Sequence, residues 1–171
     1  MYTKVHDWIT THSQTRPNSI AITDLFSGRE YTYAQFDERV ARCAGFLRDD
    51  LNIQQGQHVA ILSQNSSDFM EILFACARIG AVLVPLNYRL VADELDFIAG
   101  DAEAKALFCD SDFLAVGREV AMGCDIPLID MHGDGSKSRY ESGLAEDTPV
   151  YELAHIHLRS CQRRGEELDA G

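Results

Sequence analysis

Three groups of residues in this chain have types and spacings that could do chemistry. His155 and His157 flank Ile156, and Cys161 follows, a set of imidazoles and a thiol of the kind that holds zinc. The spacing matches none of the zinc patterns, so an ordinary polar tail is the preferred reading. Gly133-Asp134-Gly135-Ser136-Lys137-Ser138 offers glycines, hydroxyls and an ammonium to a phosphate. It lacks the Gly-x-x-x-x-Gly-Lys-Ser/Thr spacing and follows no buried strand directly, which favours a flexible linker. The third group is Asn87-Tyr88-Arg89 together with Asp110 and Asp112, each placed just after an apolar run that reads as a strand. Ligands of open α/β sheets bind beyond the carboxyl ends of strands. Arg89 could grip a phosphate there with its planar guanidinium, and a solvated loop arginine is the other reading. Asp110 and Asp112 could line the same cleft, with helix capping preferred. No Gly-x-Ser-x-Gly elbow and no Gly-x-Gly-x-x-Gly occurs, which removes the usual marks of a hydrolase and of a dinucleotide enzyme.

The elements that must position these residues centre on His58 to Leu90. His58 to Leu62 reads as a buried strand, and Asn65, Ser66 and Ser67 offer cap oxygens to the helix that follows. Phe69, Ile72, Leu73, Cys76 and Ile79 share one helical face, Gly80 stops the helix, and Ala81 to Val84 is a second strand ended by Pro85. Two apolar strands joined through a helix imply a parallel βαβ unit covered on both faces.

Upstream, Val5, Trp8 and Ile9 suggest a short helix within Tyr2 to Ser13 that docks Trp8, and Arg16-Pro17-Asn18 breaks it. Ile20 to Leu25 and Arg29 to Tyr33 read as a hairpin turning at Phe26-Ser27-Gly28. Thr32 and Gln35 have capping-box spacing, and Phe36, Val40, Cys43, Ala44 and Leu47 continue one apolar face. Downstream come a covering helix at Ala92 to Asp101, a third strand at Lys105 to Cys109 and a helix capped by Asp112 running to Val120. A fourth strand follows within Asp125 to Asp130, placed at a sheet edge by Pro127. The fold expected is α/β, a largely parallel sheet flanked by helices with an N-terminal β-hairpin.

The organisation divides at 1–132, the folded part, 133–149, a polar linker without periodicity, and 150–171, a tail with little to bury. With 46% hydrophobic and 25% charged residues over 171 positions, the composition is that of a globular protein. A formal charge of −12 repels a phosphate backbone, which argues against nucleic acid as a partner. No apolar run reaches the roughly 18 residues of a membrane helix, and the first residues lack a leader pattern. Cys43, Cys76, Cys109, Cys124 and Cys161 are odd in number and form no Cys-x-x-Cys pair, as expected of reduced thiols in the cytoplasm.

One string of motifs is specific in its order and spacing. It comprises Tyr31-Thr32-Tyr33-Ala34 with Asp37-Glu38-Arg39, Gly56 to Leu62, Asn65-Ser66, Gly80-Ala81-Val82, Pro85-Leu86-Asn87-Tyr88-Arg89-Leu90 and Glu94-Leu95. Through it, residues from about Arg16 to Phe113 resemble the N-terminal part of the AMP-forming acyl-CoA synthetases, in the adenylate-forming superfamily of AMP-binding enzymes. The Asn-Tyr-Arg-Leu form looks most like the fatty or aryl acyl-CoA ligase branch.

The resemblance implies an incomplete N-terminal subdomain of the adenylate-forming fold. It also implies, for the full-length family, activation of a carboxylic acid with ATP and Mg²⁺ followed by transfer to CoA. Offsetting phosphate charge in that chemistry needs donors and a lysine. The family's Pro-Lys-Gly phosphate loop, Tyr-Gly-x-Thr-Glu and Thr-Gly-Asp segments are not in these residues. The expectations that follow are a ligase fragment inactive alone, with no catalytic residue, no metal ligand and no cofactor of its own. Arg89 alone is carried over, as a contact to the CoA nucleotide phosphate. Self-association, or pairing with a complementary ligase subdomain, is the expected partnership. A noncatalytic α/β binding module is the alternative function, and a receiver-like or flavodoxin-like domain is disfavoured by the resemblance.

Overall fold

Five α-helices, a hairpin and a four-stranded parallel sheet make up most of residues 7–132, which are the residues described by the structure, a computed structural model. The expectations for Val5, for the stretches 133–149 and 150–171, and for His155, His157, Cys161 and Gly133 to Ser138 lie outside the described residues.

Helix α1 (Trp8–Thr15) is capped by the Asp7 carboxylate, which accepts from Ile9 N and Thr10 N. Trp8 does not dock: it is 66% exposed, and Ile9 is buried instead. The helix is turned by its polar anchors, because Thr10 and Ser13 donate to Asp37 and the Arg78 guanidinium reaches Asp7 and Thr10. Strands β1 (Ile20–Thr23) and β2 (Glu30–Thr32) pair antiparallel around Gly28 at φ +71°, the expected hairpin. Thr32 and Gln35 close the capping box of α2 (Tyr33–Gly45), which continues as a π-helical turn over Phe46–Asp50. Phe36, Val40, Cys43, Ala44 and Leu47 are all buried, as their spacing predicts.

The central unit is β3 (His58–Leu62), α3 (Ser67–Ile79) and β4 (Val82–Pro85), with Ser66 capping Phe69 N and Gly80 ending α3 at φ +72°. Then follow α4 (Ala92–Asp101), β5 (Leu107–Cys109), a 3₁₀ turn at Ser111–Phe113, α5 (Leu114–Gly123) and β6 (Leu128–Asp130). All four strands run parallel in the order β4-β3-β5-β6. Alternate residues of β3 divide the core. Val59 and Ile61 meet Phe36, Ile72 and Phe108 under α2 and α3. Ala60 and Leu62 meet Leu95, Ala99 and Val120 under α4 and α5.

Three further expectations are corrected. The second strand is not covered on both faces, because among the described residues β4 is an edge strand and Val82 is 45% exposed. The buried stripe of α3 is Ser67, Asp68, Glu71, Ile72, Ala75 and Cys76, whereas Leu73 is exposed and Phe69 and Ile79 are half-buried. Ion pairing with α2 and the hairpin rotates the helix toward its acids. The cap after β5 is Asp110, which accepts from Asp112 N, and the following helix runs past Val120 to Gly123. Among the described residues β6, with Pro127 before it, lies at the edge of the sheet, as expected.

Candidate functional site

Each parallel strand delivers its next residues to one rim: Ser63 after β3, Asn87-Tyr88-Arg89 after β4, Asp110 after β5 and His132 after β6. This is the end at which open α/β sheets bind ligands.

The Arg89 loop is tied to the sheet by Leu86, which is buried and whose N–H donates to Ile61 O at 2.8 Å. Asn87 then folds the loop. Its Oδ1 accepts from Arg89 N at 3.1 Å, and its carbonyl accepts from Leu90 N at 3.0 Å. The half-open Tyr88 ring stacks on Phe113 with centroids 5.2 Å apart and planes 23° apart. The Arg89 guanidinium lies 5.7 Å from the centre of the Tyr88 ring. Among the described residues Arg89 has no carboxylate partner, so an exposed cation stands on a two-ring platform. A cation over an aromatic face is stabilised by the ring quadrupole and keeps its donors available. Phe113 is set by its own turn: Asp110 caps Asp112 N, and Phe113 N donates to Asp110 O at 2.9 Å.

Apart from Ser63, the buried groups around the rim pair with one another. His132 lies between two carboxylates, with Nε2 3.3 Å from Asp68 Oδ2 and Nδ1 3.5 Å from Asp110 Oδ1. Asp68 is buried and receives both terminal nitrogens of Arg29, with Arg39 3.7 Å away. The pairing with Asp68 raises the pKa of Arg29 further above its ordinary value. Behind this, Asp24 accepts from Ser67 N and Oγ, each at 3.1 Å, and from Phe26 N and Ser27 N. Burial opposes its ionisation, yet the donors from Ser27 and Ser67 outweigh that and hold the carboxyl well below the usual range. Burial pushes the Cys109 thiol, beneath the rim, up to about 12, which makes it an inert core group. Ser63 Oγ is buried with no hydrogen-bond partner.

The structure thus brings Asn87, Tyr88, Arg89 and Asp110 to one rim, as the sequence predicts, but commits Asp110 to a cap and to His132. Asp112 is exposed and caps nothing. Sequence reasoning misses Phe113 as the support of Tyr88, since nothing local links the two. It also misses the Arg29 and Arg39 pairs with Asp68 and Glu71. There a signal existed: acids on a helical face that is otherwise apolar require cations from another element. Among the described residues no cluster of three His, Cys, Asp or Glu side chains is arranged to hold a metal ion.

A family model described as "AMP-binding enzyme" matches residues 9–157. The chain belongs to the AMP-binding enzyme family. The match runs beyond Phe113, through 133–149 and into the first residues of 150–171. The chain is 38% identical over 102 residues to the fatty acid–[acyl-carrier-protein] ligase ScoC of Streptomyces coeruleorubidus, covering 60% of this chain and 19% of that protein. It is 39% identical over 100 residues to a feruloyl-CoA synthase of an Amycolatopsis species, covering 58% of this chain and 20% of that protein. The inhibitor-bound N-terminal domain of FACL13 from Mycobacterium tuberculosis superposes with a TM-score of 0.72 at 28% identity. That superposition covers 84% of this chain and 36% of the FACL13 domain. The chain spans about a fifth of the length of the two curated relatives. No helix among the described residues is long and apolar enough to cross a membrane.

Proposed function

We propose that this chain is the N-terminal part of an AMP-forming acyl-CoA ligase, inactive alone, whose own contribution is a contact between Arg89 and the nucleotide phosphate of CoA. In the whole ligase ATP and Mg²⁺ supply the activation of a carboxylic acid to its acyl-adenylate, and CoA then accepts the acyl group. The residues present fit CoA better than they fit the adenylation step. An exposed guanidinium without a carboxylate partner, held over Tyr88 at the carboxyl end of the sheet, is the observation that carries the reading. A planar fork of donors matches a phosphate ester, whereas the nearby carboxylates Asp68 and Asp110 are occupied by protein partners. The free thiols Cys43, Cys76, Cys109 and Cys124 support a cytoplasmic setting.

Calorimetric titration of the purified chain with Mg-ATP and with CoA, beside an acid-dependent pyrophosphate assay, tests this. The expected result is silence for ATP and pyrophosphate, with CoA heat that disappears in Arg89→Ala. Saturable ATP binding with pyrophosphate release would overturn the inactive reading, and binding of an acyl-carrier protein in place of CoA would overturn the acceptor.

A second reading, a noncatalytic module that pairs with a complementary ligase subdomain or with itself, is favoured by Leu25 and Phe26. These are 91% and 97% exposed on a turn braced by Asp24 and Arg29. Adjacent large apolar side chains on a rigid turn mark a contact surface. Light scattering that finds only monomer at high concentration would count against self-association.

A further inference from the structure

We propose that Phe113 is a positioning residue for Arg89, acting through the Tyr88 ring, so that the guanidinium meets the terminal phosphate of a CoA nucleotide. The proposal rests on the CoA reading of Arg89. An arginine on a surface loop loses side-chain entropy when it grips a ligand, and that loss is smaller if the side chain is already held in place. The Tyr88 ring does the holding, at 5.7 Å from the guanidinium. Tyr88 is itself 40% exposed, so its own orientation needs support. Phe113 provides it from another strand's end, stacked at 5.2 Å and 23°.

Phe113 is held in turn. Its N–H donates to Asp110 O at 2.9 Å, and its ring packs on the apolar cluster of Leu62, Leu95 and Val120. The line of support therefore runs from the core to Phe113, to Tyr88, to Arg89, across the ends of β4 and β5. The terminal monoester of CoA carries about two charges where each bridging phosphate carries about one, so it is the phosphate that a single guanidinium selects most strongly. Dephospho-CoA lacks that group and is otherwise the same molecule.

Titration of the full chain with CoA and with dephospho-CoA, for wild type and four variants, tests the proposal. Wild type is expected to prefer CoA, and Arg89→Ala to erase the preference. Phe113→Ala should weaken CoA about fivefold and leave dephospho-CoA unchanged, the size of one cation–π and stacking support. Phe113→Tyr should restore CoA affinity to within about twofold, because the stack is kept. Adding Phe113→Ala to Arg89→Ala should cost nothing more, since the two act in series. A change in the preference for the terminal phosphate is a readout that a purely structural role would not move. If wild type shows no preference, or binds neither ligand, the CoA reading fails and the proposal fails with it. If Arg89→Ala erases the preference while Phe113→Ala keeps it, or weakens both ligands equally, the CoA reading stands and the positioning role is overturned.

Discussion

The two faces of one small sheet are held in different ways. On the face of α2 and α3, buried charge joins elements that are distant in sequence. Arg29 of the hairpin and Arg39 of α2 converge on Asp68 and Glu71 of α3. Arg78 at the other end of α3 reaches Asp7, Asp37 and Thr10. On the face of α4 and α5 the contact is apolar and close. There Gly117 lets α5 approach until an added Cβ would lie 2.6 Å from Cys109 Sγ, and Gly123 lets Asp96 come against the same helix. Among the described residues α4 and α5 take part in none of the ion pairs that join elements. The lesson is that apolar fit sets distance while charge pairs set angle and register. A hairpin and three helices with polar surfaces need the second device, and a pair of short helices on a flat strand face does not.

The comparison can be broken most severely at Arg39. Arg39→Ala withdraws the guanidinium from Glu71 and Asp68, which are 0% and 1% exposed, and is expected to cost about 3–5 kcal/mol in urea unfolding. Arg39→Leu combined with Glu71→Leu should recover most of that loss, and a double variant no better than the single one would show that the pair is not the unit of stability. Next in size is Gly117→Ala, expected to destabilise by about 1–3 kcal/mol through overpacking against Cys109. Cys109→Ala should rescue it, whereas no substitution on the charged face should.

Asp24 sharpens the contrast through pH. Its carboxyl is held below its ordinary value of 3.8, so the stability it contributes is complete above about pH 4 and is lost as the pH falls further. Wild type should therefore lose thermal stability in acid more steeply than Asp24→Asn, while the slope for Gly117→Ala should match wild type. The smallest effect expected is at Ser66, whose hydroxyl caps Phe69 N at 3.2 Å: Ser66→Ala should lower stability by about 1 kcal/mol at every pH.

Much of the fold is legible in the sequence. The capping box at Thr32 and Gln35, the stop at Gly80, the break at Arg16-Pro17 and the edge position signalled by Pro127 are each decided within a few residues, and each is observed. Of the rim, Asn87, Tyr88, Arg89 and Asp110 are legible because strand ends are, and strand ends follow from short apolar runs bounded by Pro85 and Asp110. Trp8 misleads because a large apolar residue near a helix start suggests docking, whereas the polar ties of Asp7 and Thr10 to Arg78 decide which side of the helix turns inward. The stripe of α3 misleads for a related reason. Hydrophobic period alone places Leu73 inside, and the cations of α2 and the hairpin pull Asp68 and Glu71 there instead.

What the sequence determined by itself was the set of elements, their caps and stops, the parallel βαβ character of the centre and membership in a pattern of motifs, because hydrogen bonding and side-chain period act over one or two turns of chain. What only the tertiary structure decided was the strand order β4-β3-β5-β6, the charge pairs on α3 and the seating of Tyr88 on Phe113. These depend on which strands become neighbours and how far each helix rotates. Both follow from packing all the elements at once, which no local stretch of residues encodes.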